Sequence, residues 1–129
     1  MRSAFFALTA AALFASTAQA APASYAIDPT HTFATFEIDH LGASTNRVRF
    51  DKKSGSVEFD REGRNGKVEM SIDMASLTSG TPAFNSHLKS AEIFDVAKFP
   101  SAQFASDKFV FEGDKLKEVT GRLTIKGQT

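Results

Sequence analysis

Polar and apolar residues alternate along most of this chain. In "HTFATFEIDH", Ala34, Phe36, Ile38 and His40 fall on one face of an extended segment, while Phe33, Thr35, Glu37 and Asp39 fall on the other. A period of two marks a strand with one buried face. The same pattern recurs in "GSVEFD", with Val57 and Phe59 inward, and in "KVEMSID", with Val68, Met70 and Ile72 inward. Between them "REGRNG" offers Gly63, Asn65 and Gly66 for a turn, so the two segments predict a hairpin. Further strands are expected in "SAQFASDKFVFEG", carrying Phe104, Phe109 and Phe111, and in "EVTGRLTIKG", carrying Leu123 and Ile125. Gly121 inside the last of these predicts a bend or bulge. The one helical pattern begins at Thr81 as N-cap with Pro82 in the first turn and runs through Ala83 to Lys89. Successive antiparallel strands with a single helical excursion predict an all-β fold, a barrel or a sandwich.

The first twenty residues depart from this pattern. "MRSAFFALTAAALFASTAQA" joins a basic Arg2, an apolar stretch from Ala4 to Ala15 and a small-x-small end at Ala18-Gln19-Ala20, the parts of a secretory signal peptide cleaved after Ala20. Its apolar stretch is shorter than the ~20 residues that span a bilayer, so no integral membrane span is expected. The expected domain is therefore residues 21–129, soluble and exported. Export permits disulfides, but the chain has no cysteine, so apolar burial alone must stabilise it. A formal net charge of zero leaves no basic footprint for nucleic acid. At the other end, "LTIKGQT" stops just after a strand, where an antiparallel sheet would continue with a return strand. The sequence thus reads as C-terminally truncated, and an exposed edge would invite self-pairing. A homodimer is left open.

Catalytic patterns are missing: there is no G-x-S-x-G, H-E-x-x-H, Walker loop, G-x-G-x-x-G or C-x-x-C. The expectation is a protein that is not an enzyme. His31 and His40 stand nine residues apart, an odd spacing that sends them to opposite faces of a continuous strand, so no metal site is expected. His40 reads as a core histidine bonded to a neighbour. His31 follows "DPT", where Asp28 or Thr30 can bond nearby backbone, a structural use. Ser76 and Thr78 read as turn or capping residues, with no base fixed beside them. Of the thirteen phenylalanines, the ten that follow the signal peptide fit either a filled barrel or the wall of a hollow one, and spacing does not separate the two.

Four blocks carry a family resemblance. "YAIDPTHTFATFEIDHLG", "FDKKSGSVEFD", "MSIDMASLTSG" and "HLKSAEIFDVAKFPSAQFAS", in that order and followed by "VTGRLTIKG", resemble the YceI-like proteins. The chain departs from them at Val48, where the family commonly has glycine. The resemblance implies a periplasmic, lipocalin-like antiparallel β-barrel, here incomplete at the C-terminus, with one short helix and lid segment. It also implies an isoprenoid lipid partner, a quinone or polyprenyl phosphate held as ligand with no cofactor. On that footing, strand parity and lid position put Phe36, Ile38, Phe59, Val68, Met70, Ile72, Leu88, Phe94 and Phe104 on the tail. "HLKSAEIFDVAKFP" becomes a lid, with Leu88, Ile93, Phe94 and Phe99 over the barrel mouth and Asp95 and Lys98 in water. A polar head group would meet His40, His87 or Lys89. Two rivals remain: a filled barrel serving as an interaction module, and a lipid-directed hydrolase with His40 as base.

Overall fold

The computed structural model describes residues 22–129, and the expected signal peptide lies outside them. Strands β1 (Ala23–Ala26), β4 (Lys53–Asp60), β5 (Asn65–Asp73), β7 (Ser101–Glu112) and β8 (Lys115–Thr124) form a five-stranded antiparallel sheet in the order β1-β4-β5-β7-β8. Strands β2 (Ala34–His40), β3 (Ser44–Phe50) and the two-residue β6 (Leu77–Thr78) form a second sheet in the order β2-β3-β6. Helix α1 (Pro82–Lys89) follows β6. The all-β antiparallel barrel wall with one helix expected from the sequence is the architecture found.

The sheets meet at a corner crossed twice by the chain. One crossing runs from β3 to β4 through Asp51 and Lys52, the other from β5 to β6 through a 3-10 turn at Met74–Ser76. Main-chain bonds tie the crossings together: Asp51 N–H donates to the Ser76 carbonyl at 3.2 Å, and Asp73 N–H to that of Lys52 at 3.0 Å. Ser76 adds its hydroxyl, which accepts from Lys52 N–H at 2.9 Å and donates to the Asp73 carbonyl at 2.7 Å. The Asp73 carboxylate caps the turn by accepting from Ala75 N–H at 2.9 Å. Ser76 is thus structural, as expected.

Strand β3 is an addition to the expected set. Its sequence, "STNRVRF", alternates Asn46, Val48 and Phe50 against Arg47 and Arg49, and Val48 and Phe50 are buried. Together with Met74, Leu77, Leu88 and Ala102 they make the core, which sits where the corner, α1 and β7 converge. The β2–β3 turn places Leu41 and Gly42 at positive φ, 55° and 72°, which an Asp39 carboxylate accepting from Gly42 N–H at 2.9 Å helps to hold. In the predicted hairpin of β4 and β5, the positive φ falls on Arg64, at 50°, rather than on Gly63 or Gly66. The bulge predicted near Gly121 is present on the partner strand: Ser106 pairs with Gly121 and Lys108 with Thr120, leaving Asp107 as the extra residue. A Cβ on Gly121 would collide with the Ala105 carbonyl and the Phe104 ring, so only glycine fits opposite the bulge.

Helix α1 starts at Thr81 as expected, with Pro82 in its first turn. The Thr81 side chain makes no cap bond; instead Asn85 reaches back, its amide oxygen accepting from Ser79 N–H and Ser79 Oγ, both at 2.7 Å. Past the helix, residues 90–99 fold into successive turns. Phe94 N–H returns to the Leu88 carbonyl at 3.1 Å, and Asp95, at φ 46°, donates to the Ser90 carbonyl at 2.7 Å. These bonds turn Ile93, Phe94 and Val96 back onto the core.

Candidate functional site

An apolar cavity of about 210 Å³ lies between the two sheets. Strand β2 contributes Ala34, Thr35 and Phe36, β3 contributes Phe50, and β5 with its following turn contributes Ile72 and Met74. Phe94 comes from the segment after α1, Ala102 from β7, Leu123 from the end of β8 and Ile125 from just past it. No charged side chain lines it. Phe36 is the pivot of this wall: its ring meets Phe94 edge-on at 5.7 Å and Phe50 tilted at 5.8 Å. Leu123 and Ile38, on the interior-facing positions of β8 and β2, are 48% and 40% exposed. No strand among the described residues lies between the free edges of β2 and β8.

Three of the expected tail contacts, Phe36, Ile72 and Phe94, line this cavity. Leu88 is buried in the core beneath α1 and does not reach it. Met70 and Phe104 face each other across β5 and β7 on the same interior face, with Val68 one pair further on. Phe59 lies further still, stacked on Phe111 with centroids 6.0 Å apart. Val68, Met70, Phe104 and Phe59 therefore extend the apolar face beyond the cavity without lining it. Ile38 sits past Phe36 on an edge strand, half in solvent. Met74, Phe50 and Ala102 are wall residues that strand parity alone did not single out. "STNRVRF" carries the signal for Phe50, whereas Met74 sits in a turn and has no period to reveal it.

His40 corrects the expectation of a core histidine: it is exposed at the last position of the edge strand β2, because β2 outruns the sheet that would cover it. His87 is also exposed, 4.0 Å from the Glu92 carboxylate. Neither, nor Lys89, borders the cavity. His31 is 84% exposed in its side chain and bonds locally: its Nδ1 lies 2.7 Å from Asp28 Oδ2 and 3.0 Å from Thr30 Oγ1. Both contacts use one ring nitrogen, whereas a relay from base to nucleophile needs both, so this trio is a turn. Thr30 closes it by donating its N–H to Asp28 Oδ1 at 2.8 Å and its hydroxyl at 2.6 Å.

The Thr30 hydroxyl, then His31 and Thr30 N–H, hold the Asp28 carboxyl at about 2, down from 3.8. A lowered folded value means the turn's stabilisation is complete above 3.8 and is lost as pH falls through about 2. A carbon-detected NMR titration of Asp28 is expected to give a midpoint near 2, and one near 3.8 would contradict the bonded turn.

A larger hollow, about 420 Å³, lies on the outer face of the five-stranded sheet, bordered by Lys52, Lys53, Ser54, Ser71, Asp73, Pro100 and Ser101. It is open and polar, and two of its hydroxyls already accept from Gln103 Nε2, Ser71 at 2.9 Å and Ser101 at 3.1 Å. A hydrocarbon tail gains nothing there, so the smaller apolar cavity is the better site.

Residues 25–129 match the family model described as a YceI-like domain. A protein of Salmonella arizonae called Protein YceI is 39% identical over 124 residues, covering 94% of this chain and 64% of that protein. Among solved structures, Burkholderia cenocepacia BcnA superposes with a TM-score of 0.70 at 29% identity, over 78% of this chain and 64% of that one. A Campylobacter jejuni YceI protein gives 0.61 at 29% identity, over 80% and 61%. The chain thus spans somewhat under two thirds of these relatives' length.

Proposed function

The chain belongs to the YceI-like family, and from that premise we propose that it is a periplasmic binding protein that holds the hydrocarbon part of an isoprenoid, a quinone or polyprenyl phosphate, in the cavity between its sheets. The observation that supports this reading is a cavity wall of rings and aliphatic side chains with no charge on it. A prenyl tail has nothing to hydrogen-bond, so an apolar wall suffices. Removing ~300 Å² of tail from water at ~25 cal/mol per Å² contributes about 7 kcal/mol, before association costs of several kcal/mol are subtracted. The cavity lies below the ~300–1,000 Å³ usual for ligand pockets, so it takes a few isoprene units.

The hydrolase reading finds no support at His40, whose ring has no hydrogen-bonded hydroxyl among the described residues. Organic extraction of the protein purified from a bacterial periplasm, followed by mass spectrometry, tests the binding reading. A stoichiometric isoprenoid is expected. An empty extract, together with an unchanged melting temperature on adding quinone, would instead favour the interaction module.

A further inference from the structure

Most of the wall of the apolar cavity is strand or bonded corner, and neither can part without breaking main-chain ladders. Two wall residues lie elsewhere: Phe94, in the turns between α1 and β7, and Ile125, just past β8. The main-chain N–H bonds of residues 90–99 run within that segment or back to the end of α1. Phe94 N–H donates to the Leu88 carbonyl at 3.1 Å and Val96 N–H to that of Lys89 at 3.2 Å. Asp95, between them, holds a left-handed φ of 46°, which a residue other than glycine keeps only when its surroundings impose it.

A lysine ties this segment to the turn after β8. Lys126 is half-buried in the turn bridged by Ile125 and Gln128, and its ammonium donates to the carbonyls of Ala91 at 3.1 Å and Glu92 at 3.4 Å. No ion pair among the described residues includes Lys126, so its charge is spent on these two carbonyls. Beside it Gly127, at φ 72°, abuts the Phe99 ring, and a Cβ there would stand 3.0 Å from that ring. The two irregular segments therefore meet along one seam. The wall residue each contributes, Ile125 or Phe94, lies within two residues of the Lys126 bonds in the chain.

We infer that residues 90–99 are the gate of the prenyl cavity and that Lys126 is the latch that holds the gate shut. This rests on the isoprenoid-binding reading above. Opening carries Phe94 away from Phe36 and uncovers the wall between the sheets, while both sheets stay paired. Ile93 and Val96, packed on the core, resist that movement as well, and the latch adds charge-assisted bonds to it. Lys126 is not a wall residue, so it governs how fast a tail enters and leaves rather than how well it fits.

Amide hydrogen exchange and farnesol binding kinetics of Lys126→Met test this. The amides of Phe94, Asp95 and Val96 are expected to exchange about tenfold faster than in wild type, while the ladder amides of β4 and β5 keep their rates. The association and dissociation rate constants of farnesol, read from NMR line shapes, are expected to rise together, leaving Kd within about twofold of wild type. Lys126→Arg is expected to stay near wild type in both readouts. Should Lys126→Met fail to fold, Lys126→Gln carries the same comparison. Unchanged exchange at residues 94–96 would overturn the latch, as would equally faster exchange in the ladders, which marks a general loss of stability. A faster dissociation with unchanged association would overturn it too, since that is the mark of a residue that holds the tail itself. Wild type that binds no farnesol would instead overturn the binding reading, and the gate with it, whatever the exchange rates show.

Discussion

Leu88→Ala is expected to cost about 2–5 kcal/mol of stability, measured by denaturant unfolding. Leu88 is 2% exposed and packs against Val48, Phe50, Met74, Leu77 and Ala102, which come from the second sheet, the corner turn and β7. Leu88 is the one fully buried residue of α1, and with half-buried Phe84 it fastens the helix to the body of the protein. Its carbonyl also accepts from Phe94 N–H at 3.1 Å, which links the helix end to the ring that closes the cavity. The truncation therefore leaves a cavity in the core and loosens the wall at Phe94. Prenyl affinity should fall with stability although Leu88 never touches the ligand. A loss below about 1 kcal/mol would show that the helix is a loose cover rather than part of the core.

Ala34→Phe is expected to reduce farnesol affinity tenfold or more with little change in unfolding free energy. Ala34 is half-buried on β2 and lines the cavity, so a phenyl ring there occupies space that a ligand needs. A cavity of about 210 Å³ has room for the ring without pushing neighbours off their rotamers, which is why stability should hold. Tyr25→Ala, at a 57% exposed position on β1 away from the cavity, serves as the control and should leave affinity unchanged. Isothermal titration of the three proteins decides it: equal affinity in Ala34→Phe and wild type would mean that the tail binds elsewhere.

Strand parity reads well where a strand is regular and covered. Val68, Met70 and Ile72 share the interior face of β5 because the ladder with β4 and β7 is unbroken there. The spacing from Phe104 to Phe109 is odd and would send the two rings to opposite faces. The extra residue Asp107 restores the parity, and Gly121 was its trace in the sequence. Parity fails at His40, because alternation says which face a residue points to and not whether anything covers that face. Ile38 fails in the same way. Met74 was illegible for a different reason: a one-turn helix at a corner has no period, and its burial comes from two chain crossings that only the tertiary structure brings together. Lys53 is the converse case, a charged residue in a "DKKSG" run that composition marks as solvated, drawn inward by its register with Ile72.

The most direct measurement is a set of isotope-filtered NOEs between unlabelled farnesol and uniformly labelled protein. If the tail lies between the sheets, its methyl groups will show contacts to Phe36, Phe94, Leu123 and Ile125, four cavity-lining residues from three separate segments. Contacts confined to exposed apolar residues such as Tyr25 and Leu41, or to the polar hollow around Ser54 and Ser71, would contradict binding in the cavity.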